Sequence, residues 1–278
     1  AIGTAGPYDV SLGLLYLKGL AAAAYLGSAW LIEQILLQYR PEAAIEGVYL
    51  FAWSPFVLLM AVGDGHNDMA MMALALLAIW LLLRRQWIMA LSVLALSGWI
   101  KYVSLALFPL FGIYMWQHLG RRWQREFLGP LVHGIMAATL VSLSALAPLG
   151  WVDGLLGIAE RLMHPLNWRG GGVHLPALIL AIGMSLLVLI YVPLLVRASR
   201  GSGSFQRLVN LGFLAFLFTF FLGAARSQPW HLLWPASLVG LSDYRWAVPL
   251  CIALSGIMLA IQVGVEWAIP GLAFELAS

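Results

Sequence analysis

Long apolar runs separated by short polar segments make up most of this chain. Crossing a bilayer takes roughly 20 apolar residues in one helix, and several of the runs approach that length. The others are long enough for half-length helices. The pattern therefore predicts an all-α integral membrane protein, a polytopic bundle of about ten transmembrane or half-length helices. The predicted segments are 11–37, 46–62, 67–83, 87–100, 102–116, 128–149, 175–196, 207–225, 229–242 and 246–266.

The composition supports a membrane location for the whole chain, which is interpreted as one transmembrane domain over residues 1–278. Hydrophobic residues make up 62% of it, charged residues make up 10%, and the mean hydropathy is +0.90. Soluble domains are nearer half apolar. The net charge of +3 does not indicate a nucleic-acid partner. The single cysteine, Cys251, excludes both a disulfide framework and a cysteine metal site.

The basic residues divide unequally between the two sides of the predicted bundle. One side carries Arg40, Arg84, Arg85, Arg121, Arg122, Arg125, Arg197, Arg200, Arg207 and Arg245. The other side carries Lys101, Arg161, Arg169 and Arg226. Cytoplasmic loops are enriched in Lys and Arg, so the first side is predicted to be cytoplasmic, in a plasma or inner membrane. The second side, extracytoplasmic, then holds the polar segments "GDGHND" (63–68) and "RSQPWH" (226–231).

This topology requires a break at Lys101, because an uninterrupted helix over 87–116 would be about 45 Å long and too long for the bilayer. It also makes 150–174 an extracytoplasmic loop. Residues 151–172 are amphipathic and end in a glycine run, which predicts an interfacial helix followed by a flexible loop. That helix would either cover a site from outside or lie idle on the surface.

The segment "GDGHND" concentrates Asp64, His66, Asn67 and Asp68 within five positions. Ionisable groups at membrane depth cost free energy unless they are paired or hydrated, so they are candidates for function. Asn67 or Asp68 is expected to cap the following helix, but a cap does not explain His66 and Asp64. Carboxylates and an amide suit sugar hydroxyls, and His66 or an acid could deprotonate an acceptor hydroxyl.

Two further polar groups are predicted on the same side. Lys101, with Tyr102 beside it, either extends to the membrane surface or binds a lipid phosphate. Near the other end of the chain, the tryptophans of "ARSQPWHLLWP" either anchor the helix at the interface or belong to a sugar- or phosphate-binding site. The candidate binding residues of that segment are Arg226, Gln228, Trp230 and His231.

The sequence gives no firm metal site and no certain cofactor. Asp64, His66 and Asp68 contain suitable ligand atoms for a divalent cation, but their alternating positions match no typical metal-binding spacing. A bound divalent cation therefore stays an open alternative.

Three stretches together carry a family resemblance. They are "RPEAAIEGVYLFAWSPFVLLMAVGDGHNDMAMMALALLAIWLLLRR", "LALSGWIKYVSLALFPLF" and "QPWHLLWP". In this order they resemble the polyprenyl-phosphate-mannose-dependent mannosyltransferases of the GT-C superfamily, over residues 7–241. The most specific part is "GHND" followed by a small-residue helix ending in Arg-Arg.

The resemblance implies a GT-C type bundle and a lipid-linked sugar donor. An acceptor hydroxyl on a glycan or glycolipid would attack the anomeric carbon, and the lipid phosphate would leave with inversion. Lys101 would contact the donor phosphate. His66, Asn67 and Asp68 would line the sugar or acceptor site. Gln228, Trp230 and His231 would close it.

Two departures from the family pattern keep a second hypothesis open. The family has an essential acid in a first outer loop after a first helix, whereas this sequence begins at what looks like the end of that loop, with only Asp9. Ser54 and Met60 stand where the family tends to have Asn and an acid. The leading hypothesis is a membrane glycosyltransferase moving a hexose, with mannose as the family default.

The alternative is a non-catalytic relative that packs against other membrane subunits and lipids. A weaker third hypothesis is a transporter, which broken helices at Lys101 and Pro229 would suit. Its polar groups would however be expected at mid-membrane, not at the outer face.

Overall fold

A computed structural model describes residues 10–122, 175–201, 203–223 and 228–268. Within these ranges the secondary structure is entirely helical, as the apolar pattern predicts. The α-helices are α1 (Val10–Tyr39), α2 (Ala44–Ala52), α3 (Pro55–Leu58), α4 (Asp68–Leu83), α5 (Trp87–Ile100), α6 (Leu107–Leu119), α7 (Leu175–Ser199), α8 (Phe205–Phe218), α9 (Leu233–Val239) and α10 (Ala247–Ala268). Shorter 3₁₀ turns span Pro41–Ala43, Tyr102–Ala106, Gly120–Arg122 and Pro229–Leu232.

Within the described ranges, three helical stretches are long and apolar enough to cross a membrane. They are Gly13–Tyr39, Phe205–Leu222 and Ala247–Gly264. The pair Pro41–Ala52 and Pro55–Gly63, bent by 53°, makes a fourth if it counts as one span. The prediction of an all-α membrane protein is thus confirmed. The predicted helix 128–149 and the loop 150–174 with its interfacial helix lie outside the described residues.

The bend between α2 and α3 follows from local sequence. Pro55 lacks a backbone N–H and its ring blocks continuation of the preceding helix. Ser54 restarts the chain as an N-cap, and its Oγ accepts a hydrogen bond from the Val57 amide at 3.4 Å. The bent pair then ends in a π-helical turn, Leu59–Gly63, directly before the polar segment.

The predicted break at Lys101 is confirmed. Lys101 has extended backbone angles, φ −155° and ψ 124°, between α5 and the 3₁₀ turn that leads into α6. The charged side chain therefore sits at the junction of two short helices, where it can turn toward neighbouring elements.

Helix α4 forms the centre of the described bundle. It is apolar nearly all round, as expected of a helix buried on every side, and it packs mainly against α1 and α5. The Ser97 hydroxyl of α5 donates to the Met71 carbonyl at 2.7 Å. This contact fixes the helix that carries Lys101 against the helix that begins with Asp68.

A close backbone approach fixes α9, the short helix that follows the second polar segment. A Cβ atom on Gly240 would lie 2.8 Å from both Cα and O of Gly47, a distance that real Cβ atoms do not reach. Only glycine fits at this crossing. The end of α9 consequently packs directly on the backbone of α2.

A polar network centred on the buried Asn210 lies at the opposite end of the bundle. The Asn210 side chain donates to Asp243 at 2.6 Å and accepts from the Ser242 hydroxyl, the Gln206 amide and the Asp243 backbone N–H. Arg40 reaches the Ser242 carbonyl at 3.3 Å. We call these five residues the Asn210 network; it joins α1 and α8 to the loop before α10.

Candidate active site

Asp68 is the first residue of α4, and its side chain is 1% exposed. The Lys101 ammonium donates to its two carboxylate oxygens at 2.9 and 3.0 Å. The Trp234 indole N–H, from α9, donates to Oδ1 at 2.5 Å. Three elements that are far apart in the sequence therefore meet at one buried carboxylate. We call Asp68, Lys101 and Trp234 the buried triad.

The capping prediction for this segment is wrong for Asn67. Asn67 occupies the N-cap position of α4, but its side chain makes no capping hydrogen bond. Asp68 is engaged by Lys101 and Trp234 from neighbouring elements. A carboxylate at a helix N-terminus is also stabilised by the helix dipole. The local sequence therefore explains why an acid stands at this position, whereas its hydrogen-bond partners come from distant parts of the chain.

The members of the triad differ in exposure. The Lys101 side chain is 24% exposed, in contrast to the enclosed Asp68. Its ammonium also lies 5.4 Å from the centre of the Trp234 ring, within range of a cation–π interaction. An ammonium has three donors, so the two hydrogen bonds to Asp68 leave a donor for a further acceptor.

Two histidine–tryptophan stacks adjoin the triad. His66 stacks on Trp230 with ring centres 4.1 Å apart and planes 24° apart. His231 stacks on Trp234 at 4.5 Å and 27°. The 3₁₀ turn Pro229–Leu232 carries Trp230 and His231 directly into α9. The predicted grouping of "GDGHND" with "QPWH" is thus present as ring-to-ring contact.

Both histidines lie outside the candidate spans and favour the neutral form. Burial lowers the pKa of His66; the nearby carboxylates of Asp68 and Asp64 oppose this, and the Lys101 charge adds to it. Burial, followed by the Lys101 charge, lowers the pKa of His231 to about 4. The His231 Nδ1 accepts the Gln228 backbone N–H at 3.3 Å, so its proton resides on Nε2.

Asp64 supplies a second carboxylate on the accessible side of the cluster. Its Oδ2 lies 3.9 Å from Nε2 of His66, and the two side chains are 34% and 25% exposed. Asp64 and His66 are therefore neighbours that solvent and a ligand can reach, whereas Asp68 is not.

The remaining predicted residues are less closely grouped. Tyr102 is 73% exposed at the start of its 3₁₀ turn. Asn67 is also exposed, and Gln228 is half-buried. Arg226 lies outside the described residues.

Trp234 is the member of the site that is not among the candidate residues predicted from sequence. The sequence leaves its segment open between an interfacial anchor and a sugar- or phosphate-binding site. Its spacing carried a signal. Trp234 follows His231 by three positions and Trp230 by four, which puts the three on one helical face. A tryptophan that is 2% exposed also needs an acceptor for its indole N–H, and the acid at the start of α4 provides it.

A π-helical turn precedes each of the two polar segments along the chain. One turn spans Leu59–Gly63 and the other spans Thr219–Gly223. Such turns are rare and recur at functional sites. Between the first turn and α4, Gly65 adopts a positive φ of 73°, which favours glycine.

The open alternative of a metal site gains no support from the geometry. Among the residues that the structure describes, no group of three or more His, Cys, Asp or Glu side chains is arranged to hold a metal ion.

The first part of the chain is similar to a known protein family. Residues 2–117 match the MptA/B family model, described as alpha-(1->6)-mannopyranosyltransferase, N-terminal domain. The match covers less than half of the chain; it includes Asp64, His66, Asp68 and Lys101 but not the segment that holds Trp234. No curated protein and no solved structure matches. This similarity is consistent with a mannosyltransferase.

Proposed function

We propose that this protein is a membrane mannosyltransferase of the GT-C type that uses a polyprenyl-phosphate sugar as donor. The observation that carries the proposal is the Lys101 ammonium, which is hydrogen-bonded to the enclosed Asp68 carboxylate on a side chain that is 24% exposed. The similarity of residues 2–117 to a mannosyltransferase domain supports mannose as the transferred sugar.

Lys101 is proposed to bind the donor phosphate. In the transfer, the acceptor oxygen forms a bond to the anomeric carbon while the bond from that carbon to the phosphate oxygen breaks. The electron pair of the broken bond stays on the phosphate. A fixed ammonium stabilises this developing charge more than it stabilises the bound donor, which is the condition for catalysis.

Asp68 is proposed to act through Lys101. Its enclosed carboxylate accepts two hydrogen bonds from the ammonium and one from the indole, so it holds the cation in place without touching the substrate. The sequence suggests a catalytic role for Asp68 itself. We propose instead that Asp68 positions Lys101.

His66 and Asp64 are proposed to receive the proton of the acceptor hydroxyl. His66 is partly exposed and favours its neutral form, as a general base requires. Asp64, 3.9 Å away, would stabilise the imidazolium that forms. The proton thus passes from the acceptor oxygen to the imidazole and then to solvent.

The aromatic groups of the second segment are proposed to bind the sugar. Trp230 and His231 offer flat apolar faces with polar edges next to the triad. Gln228, Asn67, Tyr102 and Arg226 stay candidates for contacts with hydroxyls or phosphate. The acceptor would be a glycan or glycolipid, and the distribution of basic residues supports an extracytoplasmic site.

The test uses membranes that contain the full chain and radiolabelled mannosyl polyprenyl phosphate. Lys101→Met should lower kcat/KM, measured per molecule of folded protein, by about 100-fold, the scale for removing one charge-stabilising donor. Arg84→Met, at the far end of α4, is the matched loss of a cation and should leave transfer unchanged. Normal transfer by Lys101→Met would overturn the proposal. No transfer by the wild type, with constant co-purification of other membrane subunits, would favour the non-catalytic alternative.

A further inference from the structure

Lys18 is a charged residue in the middle of an apolar stretch of α1. It belongs to the candidate span Gly13–Tyr39, where an ionisable group costs free energy unless it finds a partner. Its ammonium donates to the backbone carbonyl of Gly63 at 2.8 Å. The partner is thus the last residue before Asp64, on the segment that leads into the candidate site.

The Gly63 carbonyl is well suited to such a donor. It belongs to the final turn of a helical segment, where carbonyls lack intrahelical partners. The turn itself closes with the Asp64 N–H donating to the Leu59 carbonyl at 2.9 Å. Lys18 therefore supplies a charge-assisted hydrogen bond where the helix leaves an acceptor.

The Lys18 side chain also lies near the loop at Gly65. Its Cγ lies 3.9 Å from the position that a Cβ on Gly65 would occupy. The two glycines that flank Asp64 give this loop wide backbone freedom. One lysine side chain thus binds the chain before Asp64 and lies close to it after Asp64.

We propose that Lys18 is a positioning residue that fixes the loop of residues 63–67. By holding the loop against α1, it keeps Asp64 beside His66 and keeps the imidazole stacked on Trp230. Its effect on sugar transfer rests on the proposed function, whereas its effect on the loop does not.

Lys18 acts by geometry and not by its field at the imidazole. The charges that influence the pKa of His66 are those of Asp68, Asp64 and Lys101. A neutral or longer donor at position 18 is therefore expected to work to the extent that it still reaches the Gly63 carbonyl.

The direct test is hydrogen–deuterium exchange of the purified full chain. Two backbone amides report on this loop. The Asp64 N–H donates to the Leu59 carbonyl, and the Met69 N–H donates to the His66 carbonyl. Lys18→Met should raise their exchange about tenfold, the loss expected for one hydrogen bond worth about 1–1.5 kcal/mol. Lys18→Arg should keep wild-type exchange. Lys18→Gln, with a shorter donor, should fall between them and serves as a second variant.

Gln38→Met is the matched control. Gln38 lies on the same helix near its other end, and its side-chain N–H likewise donates to a backbone carbonyl, that of Gln34, at 2.9 Å. It should leave loop exchange unchanged. Wild-type exchange in a folded Lys18→Met protein would overturn the inference.

Transfer assays then separate the two proposals. Lys18→Met should lower kcat about tenfold with little change in the KM of the lipid donor, because Lys101 is intact, and Lys18→Arg should restore kcat. Faster exchange with unchanged kcat would overturn the positioning role in catalysis. If Lys18→Met exchanges faster but the wild-type protein transfers no sugar, the result would support the role of Lys18 in fixing the loop and would overturn the proposed function.

Discussion

The buried triad and the Asn210 network are two polar clusters of one apolar bundle, and they differ in the buried group at their centre. In the Asn210 network a neutral amide makes four hydrogen bonds to Asp243, Ser242 and Gln206. In the triad a carboxylate is enclosed, but the cation opposite it is 24% exposed and borders two histidine–tryptophan stacks.

This difference indicates different uses of polarity. A buried amide whose hydrogen bonds are all made within the protein fixes the relative positions of the helices it joins. When a buried charge is paired with a partly exposed one, the exposed partner stays charged and can interact with a ligand. The comparison predicts that the network affects mainly stability, whereas the triad affects both stability and transfer.

The largest expected effect comes from separating the charges of the triad. Lys101→Met leaves the Asp68 charge buried without its cation, which should lower the free energy of unfolding by about 3–5 kcal/mol. The double variant Asp68→Leu with Lys101→Met should regain most of that stability, because it removes both charges, while transfer stays absent. Chemical denaturation in detergent measures the first quantity. Recovery of transfer in the double variant would refute the role of the triad.

Trp234→Phe should have the next largest effect. It keeps the ring that stacks on His231 but removes the N–H that donates to Asp68. A hydrogen bond to a charged group contributes about 1.5–3 kcal/mol, so stability should fall by that amount and transfer should fall with it. Trp116→Phe, an exposed tryptophan on α6, provides the control. Wild-type values for Trp234→Phe would mean that Lys101 alone fixes Asp68.

Asn210→Leu tests the other side of the comparison. It leaves the buried Ser242 hydroxyl without the acceptor that it donates to, at a cost of about 1–3 kcal/mol. The transfer rate per folded molecule should not change. A loss of transfer in molecules shown to be folded by size-exclusion chromatography would contradict the division between the two clusters.

The smallest effect expected is a pH dependence from His66. Its pKa is lowered from its ordinary value of 6.5, so the folded protein binds this proton less readily than the unfolded chain does. His66 therefore favours folding above pH 6.5, and this contribution decreases as the pH falls below that value. Transfer should persist below pH 6.5 and decline only as the pH approaches the lowered pKa. A pH–rate profile of wild type against His66→Gln measures this, and an identical acid limb in both would exclude His66 as the base.

Much of the framework could be predicted from sequence because membrane helices follow strong rules. The helix 87–100 and the break at Lys101 came from bilayer thickness and the distribution of basic residues, and both agree with the structure. The bend of 53° between α2 and α3 was not predicted. Ser54 and Pro55 carry its signal, but the apolar run across them concealed it.

The sequence allowed most residues of the candidate site to be identified, but it did not allow their contacts with one another to be predicted. Chemical type singled out Asp64, His66, Asp68 and Lys101, because ionisable groups are rare in such a chain. Their pairing depends on which helices pack together, and no local rule supplies that. This explains both the wrong capping prediction for Asn67 and the omission of Trp234. The partners of Asp68 lie more than 30 positions away, in the case of Lys101, and more than 160 positions away, in the case of Trp234.

At the crossing of Gly47 and Gly240 the two backbones leave room for a hydrogen atom but for no larger side chain. The candidate chemistry depends on this crossing. An added methyl group at residue 240 would meet main-chain atoms, which cannot rotate away as a side chain can. Helix α9 would be pushed off α2, and the indole would leave its acceptor at the far end of that helix. Inactive variants are therefore to be expected at a position that no substrate touches and that carries no side chain.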